Sequence, residues 1–184
     1  MKYSDFYDRK RGLEEFKILR NKLNEVLVNP RLGSFAELFA KIKKQAGAGD
    51  VVAQDVVAYF YRDGAERYLR EDYIKYMHWE IVSAAGGNKF AIDKLQFFLG
   101  YAYDMIVNHR DFARIKNKNN IDEYNYIYII GQQICEQLVE DLDINPEELS
   151  QTPDRFRPYA PEHFRDLRNA IDKALPTVID EMKK

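Results

Sequence analysis

Cysteine is nearly absent from this chain of 184 residues, where Cys135 stands alone. One thiol cannot close an intramolecular disulfide, so the fold has to rest on packing. With Ile134 and Leu138 as neighbours, Cys135 reads as a small buried apolar side chain rather than a reactive thiol. Long apolar runs are missing as well: nothing approaches the ~20 uninterrupted apolar residues that span a bilayer. From Met1 to Arg11 there is no apolar leader core, which makes cytoplasmic the expected location. Neither sign of charge dominates, with 28 basic against 30 acidic residues and a net charge of -2. That balance argues against a chain built to coat nucleic acid or an anionic membrane, while leaving room for a local basic patch.

Catalytic and metal-binding signatures are absent too. The three histidines, His78, His109 and His163, have neither metal-site spacing nor a cysteine partner. Asp141, Asp143 and Asn145 begin like a calcium loop. Pro146 and Thr152 then occupy the positions where that loop needs its glycine and its final acid. There is no Gly-x-Ser-x-Gly elbow, no glycine-rich phosphate loop and no dinucleotide fingerprint. No catalytic residue, metal ligand or cofactor is therefore assigned, and the chain is not expected to be an enzyme. A degenerate active site assembled only in three dimensions is the remaining enzymatic reading.

What the chain does contain is helix. Apolar residues make up 46% of it, enough for one core and a single domain over 1–184. A first helix is expected from Ser4 or Asp5 to Val28, stopped by Asn29-Pro30. Ser34, Asp50 and Asn88 each precede an apolar pattern of helical period and read as N-caps, and another helix is expected to start near Glu71-Asp72. The Asn/Lys-rich stretch 116–120 reads as a loop, and 121–142 as a long helix. Alternation at Tyr124, Tyr126, Tyr128 and Ile130 leaves a short strand as its competitor. Asn145-Pro146-Glu147-Glu148 opens a short helix, Gln151 to Pro161 an irregular connection, and Pro161 a last helix that Pro176 should kink or end. The fold class is all-α.

One pattern organises the middle of the chain. Gly49, Ala53, Val57, Tyr61 and Gly64 are followed by Asp72, Tyr73, Lys75 and Trp79, then by Ser83-Ala84 and Gly87. A shift of 38 carries 49, 53 and 57 onto Gly87, Ala91 and Leu95. Small residues four apart share a helical face and let two helices approach closely. On these residues the chain resembles the Sel1-like repeat family, relatives of the tetratricopeptide helical hairpins. One complete unit and parts of two neighbours are visible over residues 34–102, with 103–184 a helical C-terminal part. The departures are Gly64-Ala65-Glu66-Arg67 in the inter-helix turn and Tyr76 at an alanine position, which predicts splayed helices. The resemblance implies stacked hairpins that scaffold protein contacts, with Gly49, Ala53, Gly64, Asp72, Trp79, Ala84 and Gly87 as structural positions.

The candidate partner-binding residues lie further on. Arg155, Arg157, Tyr159, Arg165 and Arg168 are interleaved with Phe156, His163 and Phe164 across a proline-rich connection. Guanidinium groups beside rings clamp carboxylates or phosphates and stack on aromatic faces. The competing reading has Phe156 and Phe164 pin the connection to the core while the arginines pair with Glu162 and Asp166. The functional expectation is a protein-interaction module, acting as scaffold or antagonist of a protein or peptide partner. Nucleic-acid binding through the arginine–aromatic cluster is the alternative.

Overall fold

Polar residues set just before apolar runs start the helices. The computed structural model describes residues 9–118, 126–157 and 160–184. The helices are α1 (Arg9–Val28), α2 (Phe35–Gly47), α3 (Val51–Asp63), α4 (Tyr73–Ala85), α5 (Lys89–Val107), α6 (Phe112–Lys118), α7 (Tyr126–Asp141), α8 (Pro146–Gln151) and α9 (Pro161–Lys183). Asp50 accepts from the Val52 and Ala53 amides at 3.0 Å, Asp72 from Lys75 at 3.0 Å and Asn88 from Phe90 at 3.1 Å. Each cap satisfies amides that the first helical turn leaves without partners. The described residues contain no strand, only the isolated bridges Ala65–Leu69 and Asp72–Arg157. The all-α expectation holds.

The two helices of the central unit run antiparallel. The Asp72 amide donates to the Tyr61 carbonyl at 2.8 Å, joining the end of α3 to the start of α4. At the other end the Ser83 hydroxyl donates to the Val51 carbonyl at 2.6 Å, and Asn88 Nδ2 donates to Ser83 Oγ at 2.9 Å. Gly49 and Gly87, one repeat apart, both have positive φ (98° and 85°), a conformation glycine adopts at little cost. Trp79, Ala53 and Ala84 are wholly buried and Asp72 nearly so. Tyr76 is buried without prising the hairpin apart, since α3 and α4 form the most extensive pair among the described helices.

Around this hairpin α1 and α2 pack on α3, while α5 and α7 pack on α4. The consequence is burial on every side: residues 52–58 of α3 and 79–84 of α4 are all inaccessible. Over those stretches neither helix has a face left for a partner. α9 closes the array by packing on α7 and α5, with Leu167, Ile171, Ala174, Leu175 and Val178 facing inward.

Several expectations need correction. Residues 116–118 are the last turn of α6, not loop, because Ile115 is buried and holds this short helix against α9. α9 passes through Pro176 to Lys183 without ending. Pro176 is exposed, so the carbonyl deprived of an amide donor lies on the solvent side, where water replaces the missing bond. From Tyr126 onward the tyrosine-rich segment is helix, with Ile130, Ile134 and Leu138 buried at helical spacing. The start of the first helix at Ser4 or Asp5, residues 119–125 and Tyr159 lie outside the described residues.

Candidate interaction surface

The connection after α8 is held down by its backbone and by one carboxylate. Asp154 Oδ1 receives the Tyr61 hydroxyl at 2.5 Å and Lys75 Nζ at 2.9 Å, with Lys43 Nζ at 3.5 Å. Lys75 Nζ also donates to the carbonyls of Thr152 and Pro153, at 3.0 and 2.8 Å. Burial works to raise the Asp154 pKa, but hydrogen bonds from Tyr61 and Lys75 outweigh it and hold the carboxyl below its ordinary range. Further along, Arg157 donates its amide to the Glu71 carbonyl at 3.3 Å and accepts from the Tyr73 amide at 3.4 Å. The segment thus offers its side chains from a fixed backbone.

Arg155, Phe156 and Arg157 point outward from it, and Arg165 and Arg168 are exposed on α9. None of these four arginines has an ion pair among the described residues; the pairing with Glu162 and Asp166 does not form. Phe156 is exposed, with the Arg70 guanidinium 5.9 Å from its ring centre, so it does not pin the connection. Phe164 does. Its ring stacks on Phe98 at 4.8 Å and meets Tyr73 at 5.4 Å.

That contact opens onto a cleft of about 530 Å³ between α5 and α9, lined by Phe97, Phe98, Tyr101, Pro161, Phe164 and Arg168. Phe97 is 86% exposed, as open as any large apolar side chain among the described residues. The Arg168 guanidinium sits 4.6 Å above the Tyr101 ring, and the Tyr101 hydroxyl donates to the Arg168 carbonyl at 3.0 Å. Burial, reinforced by Asp172, pushes the Tyr101 pKa above its ordinary value. On the other flank of α9 a smaller hollow of about 170 Å³ faces α4 and contains His78 and His163. Burial holds the His78 imidazole below its usual pKa, against the pull of Asp72.

Sequence reasoning placed Arg165 and Arg168 on this surface but missed Phe97 and Tyr101. A signal was present. Phe97 and Phe98 are adjacent, so on a helix only one of them can turn fully inward.

A second charged cluster also escaped notice, and it lies in the core. Lys94 of α5 reaches Asp55 of α3 and approaches Glu80 of α4, with Nζ 2.5 Å from Glu80 Oε1. Asp55 and Glu80 are 1% and 0% exposed. Burial pushes the Glu80 pKa up to about 8 despite Lys94, and raises Asp55 as well. Burial would lower Lys94, yet Glu80 and Asp55 outweigh it and push it up to about 12. Enclosure puts these carboxylates out of a substrate's reach, so the cluster acts as an ionic tie between three helices.

Among the described residues no group of three or more His, Cys, Asp or Glu side chains is placed to hold a metal ion. No described helix is long and apolar enough to cross a membrane. No family model, curated protein or solved structure matches this chain.

Proposed function

We propose that this chain is a protein-interaction module, a scaffold or antagonist whose Sel1-like hairpins carry a docking surface. The observation that supports the reading best is the solvent-open ring cleft between α5 and α9, bordered by arginines without ion pairs. Hot spots of protein interfaces favour aromatic anchors and arginine, which supply area and directional hydrogen bonds. The central hairpin is mostly buried and borders only the smaller hollow of about 170 Å³, which favours the larger outer cleft. Gly49, Ala53, Gly64, Asp72, Trp79, Ala84 and Gly87 then serve the scaffold, and a cytoplasmic location fits the lone buried thiol.

A second reading has its own observation. The Arg70 guanidinium lies 5.9 Å from the exposed Phe156 ring, which Arg155 and Arg157 flank in sequence, and Arg67 covers the exposed Tyr68 ring two residues before Arg70. Rings beside guanidinium groups also form platforms for single-stranded nucleic acid.

Native co-purification separates the two. Phe97→Ser and Arg168→Ala should each strip a protein partner from the chain. Arg155→Ala with Arg157→Ala should leave folding within about 0.5 kcal/mol, as exposed unpaired arginines contribute little. Recovery of nucleic acid, lost on raising the salt and on the double arginine change, would favour the second reading.

A further inference from the structure

The α5/α9 cleft is selective in its chemistry. Rings and a proline make up its walls, and Arg168 is the one charged side chain among its lining residues. With its centre 4.6 Å over the Tyr101 ring, that guanidinium covers a ring face, and it has no ion pair among the described residues. Arg165, one turn earlier on the same helix, is exposed and has no ion pair among the described residues. Asp172 lies by the hydroxyl of that same Tyr101, and Asp104 is exposed one turn beyond Tyr101. Charge around the cleft is mixed, with Arg165 and Glu162 near Pro161 and Asp172 and Asp104 further along, and Arg168 is the cation that lines it. The apolar side of α5 continues past it, since Met105 follows Phe97 and Tyr101 at four-residue spacing and is more than half exposed.

We infer that the occupant is an acidic segment of a partner protein, seating a bulky apolar side chain against Phe97, Phe98 and Phe164 and a carboxylate on Arg168. This rests on the reading of the α5/α9 face as the docking surface. The volume, about 530 Å³, admits more than one side chain and so suits a peptide stretch. A carboxylate matches the fork of N–H donors on a guanidinium, and Arg168 has no ion pair among the described residues to compete for them. Nucleic acid fits poorly here. Its evenly spaced phosphates would run from Arg165 and Arg168 straight onto Asp172 and Asp104.

The test is selection of a random 16-residue peptide display library on the purified full chain, followed by anisotropy with the best labelled peptide. A single-stranded 20-nucleotide probe is run beside it, and circular dichroism checks that each variant is folded. Enriched peptides should pair an aromatic or large aliphatic residue with Asp or Glu. Arg168→Ala should weaken the best peptide at least ten-fold, and Phe97→Ser should do the same. Selection on Arg168→Glu should exchange the acids for Lys or Arg. Peptides lost on Phe97→Ser but lacking any excess of acids would overturn the acidic occupant and leave the docking face standing. Peptides indifferent to Phe97→Ser, or no enrichment at all, would overturn both. So would tight oligonucleotide binding that depends on Arg168.

Discussion

Lys94→Met is expected to destabilise the fold by about 3–5 kcal/mol, the range for removing one partner from a buried ion cluster. The substitution leaves Asp55 and Glu80 enclosed with no cation between them. Adding Asp55→Asn and Glu80→Gln to Lys94→Met should recover much of the loss, because what is costly is a buried acidic pair whose cation has been removed, whether it stays charged or takes up protons. Chemical denaturation of the single and triple variants measures both effects. A triple variant no more stable than Lys94→Met would mean that lost packing, not charge, was responsible.

The same cluster fixes how stability varies with pH. A carboxyl raised to about 8 in the fold, from an ordinary 4.5, holds a proton that the unfolded chain has released. Between those two values the folded state binds more protons, so stability falls as pH rises, by about 1.4 kcal/mol per unit. His78, whose pKa is lowered, acts oppositely, adding stability as pH rises towards its ordinary 6.5. Lys94, raised to about 12, contributes fully below 10.5 and is lost as pH passes its folded value. The comparison of Glu80→Gln with the unaltered chain isolates the first effect. Glu80→Gln should flatten the decline between pH 5 and 8 to the residue left by the other groups, on the order of a few kcal/mol of difference across the window. Identical pH profiles would show that Glu80 is ionised throughout.

Trp79→Ala is expected to cost about 3–5 kcal/mol, the usual penalty for emptying a large core site. The indole is 0% exposed and sits where α4 meets its neighbours. Its Nε1 has no hydrogen-bond partner among the described residues. Trp79→Phe should therefore cost far less, since it removes an unsatisfied donor along with the lost volume. As the only tryptophan in the chain, Trp79 also reports directly: its emission should be blue-shifted and should move red on unfolding. Emission typical of exposed indole, or a loss under about 1 kcal/mol for alanine, would remove the packing anchor from the central hairpin.

Much of the fold was legible because its signals are local. Ser34, Asp50, Asn88 and Asn145 each cap the helix they precede, as their side chains dictate. Gly49 and Gly87 mark turns because a positive φ favours glycine. What escaped was non-local. Ile115 overrides the weak helix propensity of its Asn/Lys neighbours only because α9 is there to cover it. The Asp55–Lys94–Glu80 tie joins three helices whose individual patterns show merely charged residues in apolar surroundings. The interaction surface was half visible for the same reason. Arg165 and Arg168 stood out as a cluster in sequence, whereas Phe97 and Tyr101 reach them from a helix more than sixty residues earlier.

The central claim is that a protein partner docks on the α5/α9 face. A photo-crosslinking amino acid placed at position 97 in the cell tests it most directly, since that side chain points into solvent beside the cleft. One discrete protein adduct is expected, absent when Arg168→Glu is added, and absent when the crosslinker is moved to Lys41, exposed on α2. A nucleic-acid adduct at position 97, or a protein adduct at position 41 with none at 97, would contradict it.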